Sequence, residues 1–147
     1  DAIGGDRVGF RISPGNPYNG MDIADPEEYF IPFLKAADAL GLAYVHVVTM
    51  PMENLDVLAM IRENWSGKII TNNELKPDSA AKILDENRAD AASFGRAFIA
   101  NPDYVERVQN GGEIAKPDYS KLYAGEADGY TNYQTHRGKI RFGWRGW

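Results

Sequence analysis

Residues 91–103 read Ala-Ala-Ser-Phe-Gly-Arg-Ala-Phe-Ile-Ala-Asn-Pro-Asp: a short apolar run that ends in Gly95-Arg96 and passes at once into a helix-like segment. These are the parts of a phosphate site. Glycine lets backbone approach an anion, amide N–H groups at a helix start point toward it, and arginine forks onto its oxygens. A tight turn with a solvated arginine fits the same residues, so both readings stand from this stretch alone. Arg11 lies near the end of another apolar run. Burying it unpaired is costly, so it must be ion-paired, solvated or turned toward a polar ligand. Asn72 and Asn73 follow a third run and suit turn and cap positions as well as ligand contacts. His46, inside an apolar run, reads as a hydrogen-bonded core histidine rather than a catalyst, and His136 has no partner in view. No Ser-His-Asp arrangement and no metal cluster can be argued.

The elements that must position these residues follow from local pattern. Arg7–Ile12, Leu42–Val48, Lys68–Thr71 and Ala91–Phe94 read as strands, the second being dense in β-branched and aromatic residues. Their near-continuous apolar character suits parallel strands covered on both faces. Asp25-Pro26-Glu27-Glu28 supplies an N-cap, a first-turn proline and acidic residues favourable to the helix dipole. Phe30, Phe33, Leu34, Ala37 and Leu40 then recur at helical spacing, with Pro32 inside the pattern as a kink and Gly41 as the stop. Residues 54–64 and 77–86 carry two further amphipathic helices, and Asn101-Pro102-Asp103 opens a last short one. The order is β-α-β-α-β-α-β-α followed by a tail, which demands right-handed crossovers and a parallel sheet.

In such proteins ligands gather on the loops after the strand C-termini. Four segments qualify: Arg11 with Ser13-Pro14, Thr49-Met50-Pro51, Asn72-Asn73-Glu74, and Gly95-Arg96. The last two match the plan of (β/α)8-barrel phosphate sites. We expect residues 1–115 to form four βα units, including the phosphate-binding loops. Residues 116–147 are expected to form a C-terminal tail packing on them. Tyr119, Tyr123, Tyr130 and Tyr133 suit a barrel end or pocket rim, and Arg137–Trp147 is basic and aromatic.

Composition narrows the function classes. With 147 residues there is room for one domain with a real core. A net charge of -5 argues against broad nucleic-acid or membrane-surface binding. No apolar run nears the ~20 residues of a membrane span, and no signal-peptide pattern opens the chain. Zero cysteines exclude disulfides and thiolate chemistry and fit a cytoplasmic protein. The opening Asp1-Ala2-Ile3-Gly4-Gly5-Asp6 lacks an initiator methionine and reads like a helix–strand connection cut in the middle, so a segment of something larger is expected.

Four segments together resemble one family. Arg7-Val8-Gly9-Phe10-Arg11-Ile12-Ser13-Pro14 looks like the fifth strand of the Old Yellow Enzyme family of flavin-dependent alkene reductases. Gly41–Val48 resembles its sixth strand, and Ser93–Asp103 its eighth strand and phosphate helix. Ala127–Tyr133 resembles its C-terminal segment. The resemblance implies an α/β fold whose parallel (β/α) units form the second half, strands five to eight, of a TIM-type (β/α)8 barrel holding FMN non-covalently. It implies Arg11 beside the pyrimidine edge of the flavin, stabilising negative charge on the reduced ring. Asn72, Asn73, Gly95 and Arg96 would hold the phosphate or ribityl chain, largely through backbone N–H groups and the Arg96 guanidinium. Tyr130 would lie at the active-site rim.

The implied reaction passes a hydride from NADPH or NADH through FMN to an activated alkene, with the redox chemistry carried by the cofactor. The chain departs from the family at Thr71-Asn72-Asn73, where glycine is common. It also lacks strands one to four, so the substrate-polarising pair and the tyrosine proton donor are expected outside it. The expected partners are a complementary chain carrying those strands, or a second copy, and a small alkene substrate. The rival expectations are a non-catalytic FMN- or phosphate-binding fragment without turnover, and an open doubly-wound sheet binding another phosphorylated ligand.

Overall fold

The computed structural model describes residues 2–21, 23–124 and 126–136, so the basic and aromatic stretch Arg137–Trp147 lies outside the described residues. The chain divides into two compact units, Asp1–Ser93 and Phe94–Trp147.

The first unit alternates strands and helices: β1 (Gly9–Ile12), α1 (Pro26–Asp38), β2 (Tyr44–Val48), α2 (Val57–Asn64), β3 (Lys68–Asn72), α3 (Pro77–Asp85) and β4 (Ala91–Ala92). The sheet has the order β1-β2-β3-β4, every neighbouring pair parallel. Consecutive order joined by crossovers of one hand puts the helices on a single face. The core agrees. Phe30, Leu34 and Ala37 of α1 and Val57, Leu58, Met60 and Ile61 of α2 pack with Val45, Val47 and Ile69 of the sheet. A doubly-wound sheet needs a reversal of strand order and helices on both faces. Neither is present in this unit, so the doubly-wound expectation is not met.

The sheet therefore has one covered face and one that no helix of this unit covers. Val45, Val47, Ile69 and Thr71 are fully buried on the covered side. Phe10 joins them, its ring 5.4 Å from both Phe33 and Trp65 in edge-on contacts. Alternation turns Arg11, Tyr44, His46, Ile70 and Asn72 to the other face. This corrects the expectation of strands buried on both sides, since β2 and β3 alternate strictly between buried and partly open positions. The Tyr44 ring lies where a Cβ at residue 9 would stand, so a side chain in place of Gly9 would have to displace that ring.

Local chemistry accounts for the helix limits. Asp25 caps α1 by accepting from the Glu28 N–H at 3.0 Å, with Pro26 in the first turn. α1 runs on through Pro32. The Glu28 carbonyl loses its intrahelical donor there, but both residues are exposed, so the carbonyl is not sealed from solvent. Phe33 and Leu40, expected on the buried face, are 45% and 67% exposed. The buried stripe is narrower than the spacing suggested: Phe30, Leu34 and Ala37 are its buried apolar side chains, while Phe33 only edges onto Phe10. α2 starts three residues later than expected, at Val57, because Asp56 is its cap and accepts from the Ala59 N–H at 3.1 Å. At the sheet's N-terminal end Asp90 accepts from the Ile69 N–H and pairs with Arg62 and Lys68, both at 2.9 Å.

The second unit contains α4 (Arg96–Ala100) and α5 (Tyr104–Gln109). Phe94 and Phe98 lie against the Tyr104 ring, at centroid distances of 5.3 and 5.1 Å. Asn101 is fully buried and bonds both the N–H and the carbonyl of Ala115, at 2.8 and 2.9 Å. Arg107, also buried, reaches Asp103 at 2.7 Å and the carbonyls of Glu113 and Gln134 at 3.0 and 2.8 Å. These two side chains tie the segment after α5 to the helices without regular secondary structure. Among the described residues no helix is long and apolar enough to cross a membrane.

Candidate functional site

The uncovered sheet face carries a polar row at the strand C-terminal ends. Register makes it. Arg11 pairs across with His46, His46 with Ile70, Val48 with Asn72, and Ile70 with Ala91. His46 Nε2 lies 2.9 Å from Ser93 Oγ. The Asn72 amide Nδ2 donates to the Ser93 carbonyl at 2.9 Å and to Ser93 Oγ at 3.0 Å, while its Oδ1 accepts from Arg11 Nη2 at 3.4 Å. Thr49 Oγ1 donates to the Asn72 carbonyl at 3.0 Å, and Asn73 Nδ2 donates to the Thr49 carbonyl at 2.9 Å. β1, β2, β3, the loops after β2 and β3, and the end of β4 are thus stitched together by side chains.

Arg11 answers the question its sequence position raised. It is exposed, and no carboxylate among the described residues lies within ion-pair distance of it; its one hydrogen bond is to a neutral amide. The structural ion pair is absent. His46 is half-buried, and burial, with the Arg11 charge beside it, lowers its pKa from the ordinary histidine value. At neutral pH the imidazole is uncharged. A fixed cation next to a neutral imidazole and an amide is built to meet a polar, electron-rich edge.

The loop after β3 is conformationally unusual. Asn73 has φ 101° and Glu74 φ 51°, successive left-handed residues without glycine. Asparagine tolerates this region better than most residues, but 101° lies outside the ordinary left-handed well. Such geometry belongs to turns whose backbone N–H groups are presented to a ligand. Where the sequence departs from glycine, Asn73 and Glu74 still take positive φ.

In the second unit Gly95 precedes α4 with φ -89°, an ordinary value, and a Cβ built there meets nothing within 4 Å. Neither strain nor crowding among the described residues calls for glycine, and the space in front of this backbone is open. Arg96 is the exposed first residue of α4. Tyr130 is 41% exposed and its hydroxyl donates to the Leu122 carbonyl. His136 gives its backbone N–H to Asp103 at 2.7 Å. Burial opposes ionisation of Asp103, but that N–H and the Arg107 guanidinium outweigh it and hold the carboxyl below its usual range.

Sequence reasoning brought Arg11, Asn72, Asn73 and, within the loop after the second strand, Thr49 to this site and missed Ser93. It also set His46 aside as a core residue. Ser93 had no signal of its own, being one polar residue in a short apolar run; only the register puts it beside His46 and Asn72.

The family model described as the NADH:flavin oxidoreductase / NADH oxidase family matches residues 1–114. This chain belongs to that family, which is that of the Old Yellow Enzymes. Within the flavin oxidoreductases, a probable flavin mononucleotide-dependent alkene reductase of Leishmania infantum is 33% identical, over 90% of this chain and 37% of its own length. A chanoclavine-I aldehyde reductase of Penicillium roqueforti is 34% identical, over 90% of this chain and 39% of its own. The old yellow enzyme of Trypanosoma cruzi superposes with a TM-score of 0.85 at 40% identity, covering 92% of this chain and 37% of that one. Morphinone reductase superposes with a TM-score of 0.83 at 34% identity, covering 97% of this chain and 40% of its own. The parallel α/β fold is thus that of flavin-oxidoreductase barrels, and the chain spans well under half the length of these relatives.

Proposed function

We propose that this chain is the FMN-binding half, strands five to eight, of an ene-reductase barrel acting on α,β-unsaturated carbonyl compounds. The observation that carries the reading is Arg11: a cation at a strand C-terminus, without a carboxylate partner among the described residues, in a chain of a flavin-oxidoreductase family.

The residues present fit the cofactor. Arg11 suits the electron-rich pyrimidine edge, where its charge favours the reduced, more negative ring. The left-handed backbone at Asn73, with Asn72 before it, offers N–H groups to the ribityl and phosphate oxygens. Gly95 leaves its backbone open to the phosphate, and Arg96 supplies the charge that forks onto it. Tyr130 is assigned to the rim of the active site. FMN, when bound, supplies hydride transfer between NADPH or NADH and an activated alkene. The protein's part is to orient the ring and to lower the free energy of its charged state.

The groups that polarise and protonate the substrate are assigned to polypeptide outside this chain. β1 and β4 end the strand order and leave open edges, which invite pairing with the complementary strands or with a second copy. The test is to add FMN to the full chain, alone and with a polypeptide carrying the first four strands, and record the visible spectrum and NAD(P)H oxidation with an enone. Bound flavin in both samples and turnover only in the complemented one is the expected result. Flavin binding without turnover in either favours a non-catalytic binding fragment. Absence of flavin from both samples ends the proposal, and unchanged FMN affinity in Arg96→Ala removes the role given to Arg96.

A further inference from the structure

We propose that Asn72 is a positioning residue for Arg11, oriented by Ser93 and coupled through it to His46. The proposal deepens the flavin reading and rests on it only for the identity of the ligand that Arg11 meets. The donor and acceptor inventory leaves one orientation for the Asn72 amide. The Ser93 carbonyl can only accept, so the Asn72 group 2.9 Å from it must be the NH2. That settles the flip of the amide and turns its oxygen to Arg11 Nη2, at 3.4 Å. Asn72 then spends both N–H groups on Ser93, one on the carbonyl and one on Oγ at 3.0 Å.

Ser93 Oγ, having accepted from Asn72, has its own proton left to give. The nearer acceptor is His46 Nε2 at 2.9 Å; the Thr71 carbonyl is at 3.4 Å. An accepting Nε2 requires the neutral imidazole with its proton on Nδ1. The chain of contacts runs His46, Ser93, Asn72, Arg11: the Ser93 carbonyl dictates the amide's orientation, and a hydroxyl proton given to the nearer acceptor goes with the Nδ1–H imidazole. It assigns Asn72 a task the sequence did not suggest. Its side chain is committed to the protein, so any contact it makes with a phosphate or ribityl group comes from its backbone.

The test uses the full chain without and with FMN. Ser93→Ala removes the hydroxyl and Ser93→Thr returns it, while Asn72→Leu replaces the amide with an apolar group of similar size. Without ligand, imidazole nitrogen shifts in the wild type should report the Nδ1–H tautomer of His46. Ser93→Ala should abolish that bias and Ser93→Thr restore it, and the Arg11 Nε–H signal should lose its single environment in Asn72→Leu. With FMN, the dissociation constant should rise about tenfold in Asn72→Leu, the scale of one lost hydrogen bond to a charged group. It should rise less in Ser93→Ala and return toward wild type in Ser93→Thr.

A merely structural role would lower the urea midpoint of each variant without moving the tautomer. If Arg11→Ala weakens FMN binding while Asn72→Leu and Ser93→Ala leave it unchanged, the positioning role is overturned and the flavin reading stands. If no flavin binds, the flavin reading is lost, and the ligand-free spectra decide the positioning role by themselves. Altered Arg11 and His46 signals then support it and unaltered ones overturn it. Should Asn72→Leu not fold, the serine pair gives the same decision.

Discussion

Arg11 and His46 stand directly opposite one another on β1 and β2, a permanent cation beside an imidazole that is kept neutral. Burial and the Arg11 charge both lower the histidine's pKa, so occupancy of Arg11 should be readable at His46. The unfolded chain takes up a proton near pH ~6.5, and the folded one only at lower pH. The unfolded state thus binds more protons in between, and stability falls as pH drops below about 6.5, levelling off beneath the folded value. An anion bound at Arg11 offsets its charge and should move the His46 titration upward. A histidine NMR titration with and without FMN checks this. Failure of Arg11→Met to raise the His46 midpoint would show that the guanidinium does not reach it.

The left-handed backbone at Asn73 predicts an unusual ranking of substitutions. Asn73→Gly relieves strain of the order of 1 kcal/mol and loses the hydrogen bond to Thr49, worth about as much. The two should nearly cancel, leaving stability within about 1 kcal/mol of wild type. Asn73→Val loses the same bond and adds a β-branched clash, costing about 2 kcal/mol more. Urea unfolding of the three proteins measures the ranking, and equal stabilities for Gly and Val variants would contradict the assigned φ.

Asp90 joins α2 to the sheet through Arg62, Lys68 and the Ile69 amide. Desolvation works against its charge, but these three donors outweigh it and hold the carboxyl well below the usual carboxylate range. A depressed folded pKa makes its stabilisation complete above about pH 4 and lost as pH falls toward the folded value. Asp90→Ala leaves the Ile69 N–H without its acceptor and should cost about 1–3 kcal/mol at neutral pH. The deficit relative to wild type should shrink in acid, which denaturant titrations at neutral and acid pH would reveal.

Thr71 supplies a prediction of the opposite sign. It is fully buried on the helix-covered face, and its Oγ1 has no hydrogen-bond partner among the described residues. Thr71→Val removes an unsatisfied hydroxyl and keeps the shape, so thermal stability should be unchanged or rise, by up to about 1 kcal/mol. A loss beyond about 1 kcal/mol would mean that the hydroxyl is satisfied after all.

By itself the sequence determined the local structure and the family. Asp25-Pro26 and Asp56 start their helices, β-branched residues build β2 and β3, and the motifs around Arg11 and Gly95-Arg96 carry the flavin-oxidoreductase signature. These are short-range effects of capping, torsion and residue type, legible within a few positions. The limits of the weaker elements were not. β4 is only Ala91–Ala92, and β1 begins at Gly9 rather than Arg7 because Gly5–Arg7 forms a turn of 3-10 helix.

Only the tertiary structure decided which residues meet. Arg11, His46, Asn72 and Ser93 come from four different strands or their ends, and a slip of one residue in any pairing would turn that strand's side chains to the opposite face. Register is a property of the assembled sheet, set by burying Val45, Val47 and Ile69 under the helices. That burial leaves the alternate residues on the uncovered side, and so joins Arg11 and Asn72 to a serine that was unremarkable in sequence.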